Sequence, residues 1–408
     1  MNVNRRASAG WLRGPWDEGA LRERLESARS GMHPGKVDLA LVFLTPHLVG
    51  DASDIMEVMQ VHGRTPLAMG CTGVGVSAND EELEQGPALA FLLLQLPGAT
   101  VTAARLEQGD VEEANGPGWW HAQTGVDADS SRGWLAFGDP HSLDADTWLH
   151  QWNEAYPGVP TLGGMAAGGS GARHSHLFLN QQMFQDGVVA VSISGRVGLE
   201  PLVSQGCRPI GRPWTITAAE RNLIQKIGNL PALSVLQTTY DALPAQDKAR
   251  ASGNLFVGLA VNEYQEEHRC GDFLIRNLLA ADPASGTVAV GARVRVGQTV
   301  QFQFRDGTAA DEDLSSVVAG VRQRLTGREI LGACLCSCAG RGSHLFGKPH
   351  HDAVHLHVGF EEPLPLAGFF CNGEIGPVGG RTFLHGYTAS AAMFVGDGPT
   401  QPGEETRS

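Results

Sequence analysis

Residues 368–390 read GFFCNGEIGPVGGRTFLHGYTAS. Glycines at 373, 376, 379 and 380 let the backbone take positive φ or approach a partner closely, and Pro377 stiffens the turn between them. Glu374 is the only acid here and Arg381 the only base, while His385, Tyr387, Thr388 and Ser390 supply donors and acceptors suited to a small polar ligand. A plain surface loop would carry more charge. The composition is that of a site, set against the alternative of a glycine hairpin whose Glu374 caps exposed amides.

The stretch ends the third of three similar passes along the chain. The third begins with the strand Ala333–Cys338, crosses a histidine-rich segment, reaches Pro365 and this loop, and closes at Ala391–Val395. The first begins with the strand Leu39–Leu44, continues through a helix with Ile55, Val58 and Met59, passes Pro66 and the loop MGCTGVGVS, and closes with Ala88–Leu96. The second begins at Trp134–Phe137, forms a helix with Trp148, Leu149, Trp152 and Tyr156 on one face, passes Pro160 and the loop LGGMAAGGS, and closes at Val188–Ser194. Repeated strand-helix-strand-strand units with frequent hairpins predict an α+β fold of two domains with mixed or antiparallel sheets.

Between the second and third passes, Thr217–Glu220 has the form of a capping box, and Leu223, Ile224 and Ile227 behind it predict a helix. A second helix is expected around Leu314, Val317, Val318, Val321 and Leu325, behind Asp311, Glu312 and Asp313. The alternation in Thr287–Phe304 predicts two strands joined near Arg295–Gln298. Residues 115–131 read as a surface loop and 396–408 as a disordered tail.

The 42% hydrophobic content supports globular folding. Forty-four acids against 30 Lys plus Arg give a formal charge of −14, which argues against nucleic acid and anionic lipid as partners. The longest apolar run, Ala88–Leu94, is far short of the roughly 20 residues a span needs, so no membrane insertion is expected. Seven cysteines without framework spacing fit reduced thiols, and we expect a cytoplasmic protein. No cofactor is predicted: Gly70–Gly75 lacks the order of a dinucleotide fingerprint, and there is no Walker lysine.

Cys334, Cys336 and Cys338 alternate, so on a strand they share a face. Together with Cys371 and the histidines at 344, 350, 351, 355 and 357 they raise the question of zinc. Thiols two apart on a strand suit one tetrahedral ion poorly, and buried apolar cysteines are the better reading, with no metal expected. Cys338 stands apart beside Gly340, Arg341 and Gly342, where a cation and exposed amides favour a reactive thiol. Gly164 and Ser170, in the second glycine loop, offer amides and a hydroxyl for a carboxylate.

GEIGP at 373–377, FLHGYTAS at 383–390 and CSCAGRG at 336–342 resemble the FIST family, and PLAMGCTGVG at 66–75 and TLGGMAAGGS at 161–170 resemble it more loosely. The resemblance implies a sensory protein that binds small ligands such as amino acids inside the cell, and it brings no catalytic residues. The glycine and proline cluster GCRPIGRP marks a linker at 206–213, which with the resemblance gives an N-terminal extension at 1–36, a FIST N-type domain at 37–205, a FIST C-type domain at 214–395 and the tail. The expected ligand site comprises Glu374 for an ammonium, Arg341 or Arg381 with backbone amides for a carboxylate, and His385 and Thr388 for other polar groups, with Asn372, Gly373, Gly376, Cys338, Gly164 and Ser170 around them. The expected partners are a small polar metabolite, an amino acid foremost, and a protein in a signalling chain. Two other functions remain open: a Cys338/His385 or metal-dependent enzyme, and an interaction scaffold.

Overall fold

The computed structural model describes residues 5–168, 175–263, 265 and 271–397. The chain divides into two compact units. One holds the described residues up to Val203, Ser315–Leu384 and those from Thr388 onward, and the other holds Ser204–Leu314 and His385–Tyr387.

The first unit is built from the three passes. Pass one runs β1 (Ala7–Arg13), α1 (Glu18–Ser30), β2 (Leu39–Leu44), α2 (Ala52–Gly63), β3 (Ala68–Thr72), the hairpin β4 (Val76–Ala78) and β5 (Glu81–Leu83), then β6 (Ala88–Leu94). Pass two runs β7 (Ala99–Leu106), α3 (Gln108–Glu113), α4 (Pro117–Thr124), β8 (Ser131–Gly138), α5 (Ala145–Ala155), β9 (Thr161–Met165), the hairpin β10 (Leu177–Leu179) and β11 (Gln182–Phe184), then β12 (Val188–Gly195). Pass three opens on β13 (Val197–Gln205), which leads into the second unit.

That second unit carries β14 (Cys207–Pro209), β15 (Trp214–Glu220), β16 (Leu223–Ile227), β17 (Leu230–Pro231), α6 (Ala232–Asp241), α7 (Ala245–Ala251), β18 (Leu255–Ala260), β19 (Phe273–Asp282), β20 (Thr287–Val290) and β21 (Thr299–Arg305). Pass three then resumes with α8 (Gly307–Arg324), β22 (Ile330–Cys338), α9 (Ser343–Phe346), α10 (His351–Val358), β23 (Leu366–Cys371), the hairpin β24 (Glu374–Val378) and β25 (Arg381–His385), and β26 (Thr388–Gly396).

The three passes share one topology. In each, a central strand pairs parallel with the strand that follows its next helical segment, β2 with β3, β8 with β9 and β22 with β23. Each also pairs antiparallel with the closing strand, β2 with β6, β8 with β12 and β22 with β26. Every hairpin leaves its own sheet and extends a neighbour's: β4 pairs with β23, β10 with β3 and β24 with β9. The exchange is cyclic and produces three six-stranded sheets, one per pass. The mixed α+β architecture of repeated units expected from the sequence is what forms.

Close parallel pairing explains one glycine in each pass. A Cβ on Gly70, Gly163 or Gly368 would stand 1.6–1.8 Å from the carbonyl oxygen of Val42, Ala136 or Leu335 respectively. These three positions are equivalent and fix the alignment of the passes residue by residue.

Strand alternation sends one face of each sheet inward and the other to its helices. Inward residues form a shared core in which Phe43, Phe137 and Phe369 contact one another with ring centroids 5.0–5.5 Å apart. On the outer face of sheet one, Ala40, Val42, Leu44 and Phe178 pack against Ile55, Met56 and Met59 of α2 and Leu21 and Leu25 of α1. On that of sheet two, Trp134, Ala136 and Ile375 pack against Trp120, Trp148 and Trp152.

The second unit is a closed antiparallel ring in which β21, β15, β16, β20, β19 and β18 pair in turn and β18 returns to β21. Ile216, Ile224, Ile227, Val288, Val290, Val300 and Phe302 belong to its core.

Several sequence expectations change. The helix read from Thr217–Glu220 onward is instead the hairpin β15–β16, turning at Arg221 and Asn222 with Arg221 at φ 54°. Ring closure supplies both faces of the strand with pairing partners, and this outweighs a local capping pattern. Residues 115–131 carry α4, whose Pro117 sits at its first turn and whose Trp120 is fully buried. The first strand lies in the stretch read as an extension, since β1 pairs with β6 from Ala7 to Arg13. Segment 206–213 contains β14, paired with β21. β20 and β21 both form but pair with other strands. The helix expected behind Asp311–Asp313 begins earlier, at Gly307. Of the tail, Gly396 ends β26, and positions 398–408 lie outside the described residues.

Candidate functional site

Aligning the three passes exposes where the third departs from the other two. Val76, Leu177 and Glu374 hold equivalent places, each paired with the residue after the conserved-geometry glycine: Phe369, Cys71 and Gly164. Two of the three passes put an apolar side chain into the shared core here. The third puts a carboxylate.

Glu374 is fully buried. Its Oε2 accepts from the Thr388 backbone N–H at 3.0 Å and from the Thr388 hydroxyl at 2.7 Å. The Cys371 thiol lies 3.2 Å from its Oε1 and equally 3.2 Å from the Ser337 carbonyl oxygen. Burial pushes the Glu374 carboxyl up to about 7, against the opposing pull of Thr388, Cys371 and Arg341. Gly164, its strand partner, is tightly packed, since a Cβ there would sit 3.1 Å from that of Cys371.

The second departure lies on the outer face of sheet three. Where Leu44 and Gly138 stand in the first two passes, β22 has Ser337; where Phe178 and Ile375 stand, β4 has Ser77; and Glu82 faces Ser77 directly across the β4–β5 hairpin. Against this face sits the first turn of α10. Its Asp352 is fully buried and accepts from Arg341 Nε at 2.6 Å and Nη2 at 2.9 Å, from Ser337 Oγ at 3.1 Å and from His351 Nδ1 at 2.9 Å. Burial would raise the Asp352 carboxyl, but the Arg341 guanidinium and the bonds from His351 and Arg341 outweigh it and hold the group well below the usual carboxylate range.

Arg341 is itself buried, in the turn that follows β22, with its backbone N–H on the Cys338 carbonyl. Glu82 accepts from the Ala353 N–H through Oε1 at 3.0 Å, and its own N–H donates to His350 Nδ1 at 2.8 Å. Burial first and the nearby Asp352 second push the Glu82 carboxyl up to about 8. Glu374, Cys371, Ser337, Asp352 and Arg341 thus form a chain of buried polar contacts, and Glu82 adjoins it through the backbone of Ala353. Of these residues the sequence singled out Glu374 and Arg341, and Cys371 only in connection with zinc; Asp352, Ser337 and Glu82 were missed, as was Ser77 opposite Glu82.

The remaining expected residues are distributed as follows. Thr388 holds Glu374, and Gly373 accepts the Met165 N–H through its carbonyl at φ 124°. Gly376 is buried, Asn372 and Arg381 are exposed, and His385 is buried in the second unit. Ser170 lies outside the described residues.

Cys71, Cys334, Cys336 and Cys371 are buried in the shared core, and burial pushes the thiols of Cys71, Cys336 and Cys371 far up. Cys338, at the strand end, is half-buried. Among the six described cysteines, Cys338 is therefore expected to react first with iodoacetamide at neutral pH, since access and thiolate fraction govern the rate. Peptide mapping that finds a core cysteine labelled ahead of it would refute this.

Comparison with known proteins follows from this geometry. The FIST N domain family matches residues 38–229 and the FIST C domain family residues 232–377. An uncharacterised protein of Mycobacterium bovis is 37% identical over 353 residues, covering 85% of this chain and 87% of its own. An uncharacterised protein of Mycobacterium tuberculosis strain H37Rv is 35% identical over 379 residues, covering 92% of this chain and 96% of its own. A solved cyanuric acid hydrolase from A. caulinodans aligns over 95% of this chain and 99% of its own at 9% identity and a TM-score of 0.30, too distant to carry any argument. Among the described residues no helix is long and apolar enough to cross a membrane. With both domain families matched in order along most of its length, the chain belongs to the FIST family of sensory domains.

Proposed function

We propose that the protein is a cytoplasmic, non-catalytic sensor that binds a small polar metabolite, an amino acid by preference, and passes the signal to a protein partner. The observation that carries this reading is Glu374, a fully buried carboxylate at a place where both equivalent passes are apolar. A buried carboxyl without a cation raises the free energy of the apo protein, and a ligand ammonium relieves that cost while selecting for charge. Thr388 keeps the carboxylate oriented, and Arg341 offers a guanidinium to the ligand's carboxylate. The ligand stabilises the conformation in which Glu374 is ionised, and that differential affinity is what a sensor needs to shift a population.

Isothermal titration with the twenty proteinogenic amino acids tests this reading. At least one should bind wild type, and Glu374→Gln should weaken it by about tenfold to a hundredfold, the worth of a charge-assisted hydrogen bond, while unfolding stays cooperative. Affinity should also fall as pH drops below about 7, because the protonated Glu374 must then lose its proton to receive the ammonium. Unchanged binding in the variant, or a variant that does not fold, assigns Glu374 a structural role.

A further inference from the structure

Three side-chain atoms in the polar layer of sheet three are buried and find no hydrogen-bond partner among the described residues: Arg341 Nη1, Ser77 Oγ and Glu82 Oε2. Arg341 is 1% exposed, Ser77 0% and Glu82 4%, so bulk water does not satisfy them. Buried polar atoms are nearly always paired, and an orphan on a guanidinium calls for a specific explanation.

The register places these groups together. Ser77 is opposite Glu82 across the hairpin and opposite Gly368 on its other side, so Ser77 and Glu82 project from the same face beside a position that has no side chain. Asp352 takes Arg341 through Nε and Nη2 and leaves the Nη1 edge over; Ala353, the next residue, holds Glu82 by its other oxygen. The guanidinium is near enough to Glu82 to pull its carboxyl down slightly against the larger upward push of burial and Asp352. In the first two passes the corresponding places, Phe178 with Leu44 and Ile375 with Gly138, belong to closed apolar layers or have no side chain to offer.

We propose that Arg341, Ser77 and Glu82 form an oxyanion pocket that takes the carboxylate of a small organic acid, with Arg341 Nη1 and the Ser77 hydroxyl as donors beside the unpaired Glu82 oxygen. A carboxylate supplies what all three lack, an acceptor with several lone pairs, and no cation or apolar group does so. Burial keeps Glu82 protonated at neutral pH, which makes its orphan oxygen a donor rather than a repelling charge. The pocket lies on the outer face of sheet three, whereas Glu374 points to the inner one, so it is a carboxylate site in its own right that does not rest on the amino-acid reading, and it adds Ser77 and Glu82 as specificity residues beside Arg341.

The test compares acetate, inorganic phosphate and the amino acid that binds wild type best, by thermal shift and titration, against wild type, Ser77→Ala, Glu82→Gln and Glu374→Gln. Ser77→Ala removes an unpaired hydroxyl, so the ligand-free protein should melt at or slightly above the wild-type temperature while affinity for acetate falls about tenfold. Glu374→Gln should weaken the amino acid alone, because acetate has no ammonium. Phosphate binding sensitive to Ser77→Ala, without acetate binding, identifies a free inorganic anion as the source and overturns the carboxylate assignment. Equal responses of wild type and Ser77→Ala to every probe overturn the pocket. If the amino acids fail while acetate binds in a Ser77-dependent way, the pocket stands and the amino-acid reading falls; if an amino acid binds with sensitivity to Glu374 while acetate shows none to Ser77, the reverse holds.

Discussion

Arg341→Met is expected to destabilise the protein by about 3–5 kcal/mol, because it leaves the Asp352 carboxylate fully buried without its cation. Ser337 and His351 still donate to Asp352, but two bonds do not replace the guanidinium that holds both its oxygens. Without the guanidinium, burial favours the protonated form of the carboxyl. Pairing the change with Asp352→Leu should restore most of the loss, since a buried ion pair and an apolar pair of similar volume differ little in net stability. Denaturant unfolding of the two single variants and the double variant measures the coupling. A single-variant loss under about 1 kcal/mol would place the pair in solvent contact and remove it from the buried network.

The three passes were legible because each states the same sentence in apolar strands: Leu39–Leu44, Trp134–Phe137 and Ala333–Cys338 all sit within the central strand of a pass, β2, β8 and β22, and Trp148 with Trp152 form the apolar face of α5. What stayed hidden was the exchange of hairpins. Strands β4, β5, β10 and β11 have three residues each, and nothing in three residues says which sheet they join. The ring in the second unit was misread where Thr217–Glu220 imitates a helix cap, because the alternation that identifies β15 is interrupted by register shifts at Ala218.

The site was half legible for a related reason. Glu374 stood out in a glycine-rich stretch, and Arg341 beside a thiol. Asp352 lies among histidines that suggested metal chemistry instead, and Glu82 lies in EELE, which reads as surface charge until β5 turns one of its acids inward. A usable signal existed: once the passes are aligned on Gly70, Gly163 and Gly368, Ser77 falls on Phe178 and Ile375, and a hydroxyl opposite two apolar residues marks a layer that no longer packs by burial alone.

That layer should also govern how stability depends on pH. Glu374 and Glu82 both have folded-state carboxyls raised above their unfolded value, to about 7 and about 8. Below about pH 4 both folded and unfolded forms are protonated and neither group costs anything; above that the unfolded carboxyls ionise while the folded ones keep their protons, so stability falls with each pH unit until the folded groups ionise near 7 and 8. Each shift corresponds to roughly 3–5 kcal/mol across that window. Asp352 acts in the opposite sense: its folded form is held low, so its contribution is present above about pH 4 and is lost on further acidification. Stability should therefore peak near pH 4 and decline until about pH 8, with a melting temperature several degrees higher at 5.5 than at 8.5. Glu82→Gln and Glu374→Gln should each flatten the decline, since neither amide titrates, and the two together should nearly abolish it. A melting temperature that rises between pH 5.5 and 8.5, or a slope that neither variant alters, would mean that both carboxyls are ionised in the folded protein, and the donor role of Glu82 would go with them.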